Sequence, residues 1–387
     1  MIARTLSETL LGLRGKFPVC FLTGPRQSGK TTLLKALIPD LPYVSLEEPD
    51  LRAIALQDPR GFLDQFPAGL VLDEAQRAPA LFSYIQGRAD ADPEIRYYLS
   101  GSQNFLLSEK ITQSLAGRTA VLSLLPLSLA ELHAAGFRFG SFEEVLFRGQ
   151  YPRCYDRQIE PHLFYPSYVQ TYVERDVRQM KNIGDLDAFI RFLQLCAGRI
   201  GQPLNLSSLA QDAGISANTA KSWMSILQAS FLVFTLQPYF RNVGTRAVKS
   251  PKLYFHDTGL ACYLLGISEA GQLFSHYLRG SLFENLVLSE LVKHRLHRGQ
   301  KPGLYFWTDK SRREVDCLIE RGTGLRPVEI KSGKTMLDSY FDTIRLWQKL
   351  SGEAGTAGFV VYGGDASFTL PGGRLLSWRD MEELWRE

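Results

Sequence analysis

The sequence predicts an α/β protein of three consecutive regions, and three observations support this. Short apolar segments alternate with segments of helical spacing over the first 150 residues, which is typical of a parallel sheet covered by helices. Two helical segments separated by a glycine turn follow, and the last third returns to strands flanked by helices. We therefore expect domains at residues 1–150, 151–265 and 266–387.

A glycine-rich turn lies between the first predicted strand and the first apolar helix, and it fits the pattern G-x-x-x-x-G-K-[ST]. Backbone N–H groups at such a helix N-terminus can cradle phosphate oxygens. Lys30 would place a positive charge on the terminal phosphates, and Thr31 would ligate Mg²⁺. The turn predicts a P-loop that binds ATP and Mg²⁺. The residues expected to contact the nucleotide are Gly24, Pro25, Arg26, Gln27, Ser28, Gly29, Lys30, Thr31 and Thr32.

Two carboxylates end the next apolar strand, at residues 69–72. We expect Asp73 to support Mg²⁺ through water, as the acidic residue of a second nucleotide motif does. Glu74 would polarise the attacking water as a general base, because it stands one residue beyond the metal-binding carboxylate at the exposed end of the strand. The alternative is that both acids are solvated and cap the following helix.

Polar residues also follow the third apolar strand, at residues 95–99. Ser102 and Gln103 are candidates for sensing the terminal phosphate. Arg118 stands just before a further strand at 120–125, and we expect it to stabilise charge on the transferred phosphoryl group, in cis or across the interface of a homo-oligomer. The alternative for Arg118 is a surface arginine in a loop.

The middle region carries a helix-turn-helix pattern, residues 206–216 followed by 217–227, and a strand at 231–236 that suits the wing of a winged helix. If the second helix enters a major groove of DNA, its first turns present side chains to bases and phosphates. The alternative is a lid or a partner-binding module. The groove-facing candidates are Ser216, Asn218, Thr219, Lys221 and Ser222. Lys221 is the only cation of that helix, so further charge would come from Arg241, Arg246 and Lys249.

The C-terminal third carries a second constellation of charged residues. A predicted helix carries Glu284, one strand carries Asp316, and the next carries Glu329 two residues before Lys331. Residues two apart in a strand project to the same face, so Glu329 and Lys331 can point at one site. Asp316 and Glu329 would bind Mg²⁺, and Lys331 would orient or activate the attacking water. Glu284 would either complete the metal shell or hydrogen bond to a water that ligates the metal.

This constellation resembles the core of PD-(D/E)XK nucleases, and the expected element order, α-β-β-β-α-β, matches that restriction-endonuclease-like layout. The resemblance implies a restriction-endonuclease-like α/β C-terminal domain, and the presence of all four residue types favours a site that cleaves nucleic acid. We expect the nucleic acid to be DNA rather than RNA. Two alternatives stand beside it. The residues are ordinary polar groups on a half-exposed sheet, or a nuclease-derived fold binds its partner without cleaving it.

Taken together, the motifs resemble a family of bacterial and archaeal AAA-type ATPases that carry a C-terminal domain of unknown function. The resemblance covers nearly the whole chain and implies ATP binding and hydrolysis. It rests on residues 24–32 (GPRQSGKTT), 72–76 (LDEAQ), 99–103 (LSGSQ), 114–118 (SLAGR), 149–152 (GQYP) and 252–260 (KLYFHDTGL).

The composition of the chain bears on its compartment and on membrane anchoring, but it does not identify a binding partner. The chain of 387 residues has 44 basic and 40 acidic residues, and a net charge of +4 does not by itself argue for nucleic acid. Five scattered cysteines predict reduced thiols in the cytoplasm. No apolar run approaches the roughly 20 residues that cross a bilayer, so we expect no membrane anchor. Asp257 and Thr258 are expected to cap a helix that begins near Gly259.

The predicted function is an ATP-dependent switch coupled to DNA binding and cleavage. The alternative is a signalling or regulatory NTPase whose C-terminal domains bind a protein partner.

Overall fold

A computed structural model of the chain describes residues 1–101, 115, 117–172, 185–239, 250–322, 324–352 and 357–385. Several residues singled out in the sequence lie outside these ranges. They are the candidate phosphate sensors Ser102 and Gln103 and the wing cations Arg241, Arg246 and Lys249.

The first region is a five-stranded parallel sheet with helices on both faces, as the sequence predicts. The strand order is β2-β3-β4-β1-β5. Its strands are β1 (Val19–Thr23), β2 (Tyr43–Ser45), β3 (Gly69–Asp73), β4 (Arg96–Ser100) and β5 (Thr119–Ser123). The helices are α1 (Leu6–Gly12), α2 (Lys30–Leu37), α3 (Pro49–Gln57), α4 (Pro59–Asp64) and α5 (Leu81–Ala91). Two apolar clusters pack against the sheet, and parallel pairing brings the carboxyl ends of the strands to one edge.

The middle region is helical, again as predicted. Two helices, α6 (Leu129–Ala134) and α7 (Phe142–Arg148), follow β5 before residue 151. The helices after residue 151 are α8 (Arg153–Asp156), α9 (Pro161–Tyr172), α10 (Leu186–Ala197), α11 (Leu206–Ala213) and α12 (Ala217–Ala229). Asn205 caps α11, Gly214 ends it in the left-handed conformation at φ 72°, and Ser216 caps α12. Helix, glycine turn and helix are thus formed as expected, and the antiparallel strands β6 (Val233–Pro238) and β7 (Lys252–Phe255) follow.

The C-terminal third has the predicted order of helix, three strands, helix and strand. Helix α13 (Thr258–Leu264) ends the middle region. The elements that follow are α14 (Arg279–Leu296), β8 (Leu304–Thr308), β9 (Glu314–Arg321), β10 (Gly324–Lys331), α15 (Asp342–Ser351) and β11 (Gly358–Tyr362), and two further strands, β12 (Phe368–Leu370) and β13 (Gly373–Ser377), come after them. Eight strands form one mixed sheet in the order β12-β13-β11-β10-β9-β8-β6-β7.

The second sheet crosses the predicted boundary at residue 265, because β6 of the middle region pairs with β8 of the C-terminal region. One apolar cluster contains Ile2 and runs through both regions from Leu125 to Leu384. The shared sheet and the shared apolar cluster therefore join the middle and C-terminal regions closely. The division of the chain into three domains stays a prediction.

The turn at Gly149, which opens the GQYP segment, is fixed by a buried carboxylate. Asp257 accepts hydrogen bonds from Gln150 N, from Tyr165 Oη (both 2.7 Å) and from Leu260 N (2.8 Å). The last of these caps α13, as the sequence predicts for Asp257. Gly149 has φ +65°, and a Cβ there would come within 1.8 Å of Tyr165 Oη. Only glycine fits this turn without displacing the tyrosine.

The structure also bears on the cysteines and on membrane crossing. All five cysteines are buried free thiols. Among the helices of the described ranges, none is both long enough and apolar enough to span a bilayer.

We predict that Gly149→Ala destabilises the chain by about 3 kcal/mol or more, since it adds a steric clash to backbone strain. Gly136→Ala is the matched control, because Gly136 also has positive φ (+90°) but no atom of the described part of the chain lies within 4 Å of its added Cβ. Strain alone should cost the control about 1–2 kcal/mol. Thermal unfolding midpoints of the two variants measure the difference, and equal midpoints would contradict the packing at Tyr165.

Candidate functional site

The P-loop lies at the carboxyl edge of the first sheet, between β1 and α2. Gly29 caps α2 with φ +97°, and Gly24 has φ +142°. A Cβ at Gly24 would come within 2.2 Å of Leu124 O, so this position needs glycine to let the loop pack against the chain leaving β5. The loop thus presents backbone at a helix N-terminus, where phosphate oxygens bind.

The loop lysine is held over the loop by backbone oxygens. Lys30 is buried, and its Nζ donates to Gly24 O at 2.9 Å and to Pro25 O at 2.8 Å. A nucleotide phosphate would replace these neutral acceptors with charged ones, which form stronger hydrogen bonds with an ammonium group.

Asp73 joins the strand end of β3 to the P-loop. Its Oδ2 accepts from Thr31 Oγ1 and from Tyr43 Oη, both at 2.7 Å, and Ser100 donates to its Oδ1. Burial alone would raise the pKa of Asp73, but hydrogen bonds from Ser100, Thr31 and Tyr43 outweigh it and lower the pKa. The carboxylate therefore stays ionised beside the Thr31 hydroxyl, and these oxygen donors suit Mg²⁺.

Glu74 lies next to this pair in an unusual backbone conformation. It has φ +54°, in the left-handed region, and Gln76 Nε2 donates to its carboxylate. Burial raises the pKa of Glu74, and the positive charges of Arg26 and Lys30 oppose this only in part. A carboxylate with a raised pKa at the mouth of a phosphate site is suited to accept a proton from water.

A cleft of about 1000 Å³ opens over the loop and is large enough for a nucleotide. The loop, Asp73 and Glu74 form one wall. The other walls come from residues that the sequence reasoning did not assign to the site, namely Met1, Ile2, Arg4, Leu33, Glu47, Leu127, Pro152, Arg153, Asp156, Arg157 and Thr171. The GQYP segment could have indicated Pro152 and Arg153. No sequence pattern indicated the N-terminal residues.

Arg118 lies at the opposite edge of the sheet from the P-loop. It immediately precedes β5, its carbonyl accepts from Val19 N at the start of β1, and its side chain pairs with Asp90 near the end of α5. The P-loop follows the other end of β1, so Arg118 does not reach its own nucleotide site. The expected role in cis is therefore excluded by geometry, and the role across a subunit interface stays a prediction.

The four charged residues singled out in the C-terminal third converge on a second site. Asp316 Oδ2 accepts from Ile330 N at 2.7 Å and lies 3.4 Å from Lys331 Nζ, which donates to Glu329 Oε2 at 2.6 Å. Glu284, on α14, lies close enough to Asp316 that the two carboxylates repel. The predicted convergence of helix and strands is thus formed.

Strand β7 adds two residues that sequence reasoning did not assign to this site. Lys252 Nζ lies 3.5 Å from Glu284 Oε1 and donates to Glu314, and Tyr254 Oη donates to Glu284. Both residues belong to the segment KLYFHDTGL, two apart and therefore on one face of the strand. That alternation was the available signal.

Burial dominates the electrostatics of the second site. It raises the pKa of Glu284 to about 7 and that of Glu329 to about 9, with the Asp316 charge adding to both. Burial opposes the charge of Lys331, but Asp316 and Glu329 outweigh it and raise the pKa of Lys331. With a pKa of about 9, Glu329 is protonated near pH 7, so a cation bound there would have to displace that proton.

A metal at this site would have to compete with the lysines. Among the described residues, none hydrogen bonds to the buried Oε1 of Glu329, so this carboxylate oxygen is available to a cation. Within the described ranges, no three His, Cys, Asp or Glu side chains are arranged as a ready metal cage. The donor chemistry of Asp316 and Glu329 fits Mg²⁺, and Lys331 would share their oxygens with it.

Comparison with known proteins matches three parts of the chain to family models. Residues 16–133 match an AAA domain, residues 140–271 a domain of unknown function (DUF8612), and residues 279–381 another domain of unknown function (DUF4143). The AAA match contains the whole P-loop together with Asp73 and Glu74.

Relatives that match about three quarters or more of the chain occur in bacteria and archaea. Uncharacterized proteins of Mycobacterium tuberculosis and Mycobacterium bovis are each 29% identical over 322 residues, covering 82% of this chain and 71% of theirs. An uncharacterized protein of Methanocaldococcus jannaschii is 24% identical, covering 76% of this chain and 70% of its own. A solved Walker-type ATPase of Pyrococcus abyssi is 14% identical with a TM-score of 0.48, covering 68% of this chain and 96% of its own.

We predict that Glu74→Gln binds ATP normally but hydrolyses it about 10²–10⁴-fold more slowly, since the amide cannot accept a proton. In the wild type, hydrolysis should fall as the pH is lowered through the pKa of Glu74, because a general base acts only when ionised. Burial places that fall at a higher pH than for a surface glutamate. A pH–rate profile checks both points, and an unchanged rate in Glu74→Gln would exclude this residue as the base.

Proposed function

Because the chain joins an AAA-type ATPase domain to a C-terminal DUF4143 domain, we propose that it is a Mg²⁺-dependent ATPase that acts as a switch for DNA binding and cleavage. The observation that carries the ATPase part is the 2.7 Å hydrogen bond between Thr31 Oγ1 and Asp73 Oδ2. It brings the P-loop and the acidic strand end together inside a nucleotide-sized cleft.

The site supplies each group that phosphoryl transfer needs. The P-loop backbone and Lys30 would bind the phosphates, and Thr31 and Asp73 would hold Mg²⁺ directly or through water. Mg²⁺ would neutralise charge that develops on the phosphate oxygens. Glu74 would orient and deprotonate the attacking water. Stabilisation by a cation from a neighbouring subunit, such as Arg118, remains part of the proposal.

The charged cluster on α14, β9 and β10 supports the DNA part. Lys331 lies within hydrogen-bonding reach of both Asp316 and Glu329. Glu329 Oε1, to which no described residue hydrogen bonds, offers a ligand for Mg²⁺. Arg312, in the exposed turn before β9, would attract the phosphate backbone, whereas Arg313 beside it is paired with Asp309 at 2.6 Å. In this proposal the metal stabilises charge at the scissile phosphate and Lys331 orients the water.

The character of α12 favours a second candidate function, an NTPase whose C-terminal regions bind a protein partner. Its exposed side chains include Asn218, Lys221, Ser225 and Gln228, so one positive charge stands among neutral groups. Ser216 and Thr219, which were expected to face DNA, hydrogen bond to each other at 2.8 Å. Such a surface attracts phosphate weakly and suits a polar protein interface.

We predict that Lys30→Ala raises the Kd for ATP at least about 100-fold, because it removes the charge-assisted hydrogen bonds to the terminal phosphates. Lys35→Ala is the matched control: it removes the same charge from the exposed face of α2, where Lys35 lies 3.8 Å from the centre of the Tyr43 ring. Titration with a fluorescent ATP analogue measures both. Wild-type affinity in Lys30→Ala would overturn the nucleotide assignment.

We predict that Asp316→Ala and Lys331→Ala each abolish Mg²⁺-dependent cutting of DNA and leave ATP turnover within about twofold of wild type, since these residues lie outside the P-loop cleft. Lys349→Ala, which removes a charge from the exposed end of α15, should cut normally. Single-stranded, double-stranded and branched substrates are tested with ATP present.

The wild type decides between the two functions. If it cuts none of these substrates, cleavage is rejected. Salt-dependent DNA binding without cutting would then leave a DNA-binding switch, and nucleotide-dependent assembly without DNA binding would favour the protein partner.

A further inference from the structure

Arg4 lies in a buried position between the P-loop and the chain that leaves the first sheet. Its Nη1 donates to Ser28 O at 2.7 Å, and its Nη2 donates to Leu125 O at 2.6 Å. Arg4 is 7% exposed, so these bonds form away from bulk water, where they are stronger than surface contacts. One guanidinium therefore ties the phosphate loop to the segment after β5.

The bond to Ser28 fixes the direction of a loop N–H group. A trans peptide is planar, and its C=O and N–H point in opposite directions. Because Arg4 holds the Ser28 carbonyl on its own side of the loop, the N–H of Gly29 points away from Arg4. Gly29 begins the turn into α2, where N–H groups receive phosphate oxygens. Arg4 thus sets the orientation of the Gly29 N–H, which is the group that would bind phosphate.

Glu131 holds Arg4 in place. Its Oε2 lies 3.2 Å from Arg4 Nε, and the carboxylate also accepts from Thr5 N at 2.7 Å and Ser128 N at 2.9 Å. Burial opposes its charge, but Arg4, His297 and these N–H groups outweigh burial and lower the pKa of Glu131. The carboxylate therefore stays ionised in the interior.

His297, directly after α14, completes the chain of contacts. Its Nε2 accepts from Leu125 N at 3.2 Å, so the ring proton sits on Nδ1, which faces Glu131 Oε1 at 3.6 Å. Burial lowers the pKa of His297 to about 3, and the ring is neutral near pH 7. Its carbonyl also accepts from Thr9 Oγ1 of α1 at 3.0 Å.

The helix before His297 reaches the second site. Glu284 stands in the second turn of α14, and a rise of 1.5 Å per residue puts it about 20 Å from His297 along the helix. A shift of α14 at Glu284 would move His297 as well, because the two residues lie on one continuous helix that moves as a single element.

We propose that Arg4 is a positioning residue for the P-loop, and that Glu131 and His297 make its position depend on α14, so that ATP affinity is set partly by the C-terminal region. This inference rests on the proposed ATP binding. By linkage, ATP would change the affinity of the second site by the same factor.

The test compares three full-length variants by ATP titration and thermal unfolding. His297→Leu should raise the Kd for ATP about tenfold, within the usual range of coupling between sites. His297→Gln, whose amide can both accept and donate a hydrogen bond, should stay within about twofold of wild type. Leu291→Ala is the control for stability, because it opens a cavity in the same helix outside the chain of contacts. It should lower the unfolding midpoint and leave the ATP Kd unchanged.

The link is overturned if His297→Leu binds ATP like the wild type, or if Leu291→Ala weakens ATP binding equally. Failure of the wild type to bind ATP would instead overturn the proposed function. If His297→Leu does not fold, Arg4→Lys replaces it: lysine keeps a charge near Glu131 but lacks the planar fork that holds Ser28 and Leu125 together. Its ATP Kd should rise by a similar factor, and an unchanged Kd would overturn the link.

Discussion

Buried charges on one helix determine how the regions of this protein fit together. Lys293 of α14 is fully buried and donates to Leu127 O at 3.0 Å and to Glu290 Oε1 at 2.9 Å. Glu290 in turn accepts from Leu129 N at 2.8 Å and from Gln150 Nε2 at 2.7 Å. A buried charge that loses its partners costs several kcal/mol. The buried charges of Lys293 and Glu290 therefore keep their hydrogen-bond partners only while the segment that leaves the first sheet is packed against α14.

This constraint also places the two charged sites. The segment docked on α14 begins beside the P-loop, and the other end of the helix carries Glu284 into the C-terminal cluster. The first site lies where strand ends meet the N-terminus of a helix. The second site lies between a helix and two neighbouring strands. Their separation follows from the length of one helix, so neither site can be displaced far without disturbing polar groups that have no access to water.

Local patterns predicted the local structure well. The P-loop between strand and helix, the cap of α13 by Asp257, the helix-glycine-helix turn and the α-β-β-β-α-β order all depend on residues near one another in the chain. The partners of the sites were not predictable in the same way. Arg4 and Leu125 stand 121 residues apart, and Lys252 reaches Glu314 from 62 residues away. The sequence pattern around Arg118 does not show at which end of the strands its loop lies, so it could not reveal that Arg118 stands away from its own P-loop.

The pairing of β6 with β8 bears on how such a chain could be inherited. Family models recognise separate stretches, but a recombination that exchanged residues 279–381 alone would bring in β8 without the strand it pairs with. It would also bring Lys293 without the carbonyl and amide that surround it. Hybrids would therefore need the stretch from Leu125 onward to travel as a unit. The physical module of exchange is larger than the stretch that sequence comparison delimits.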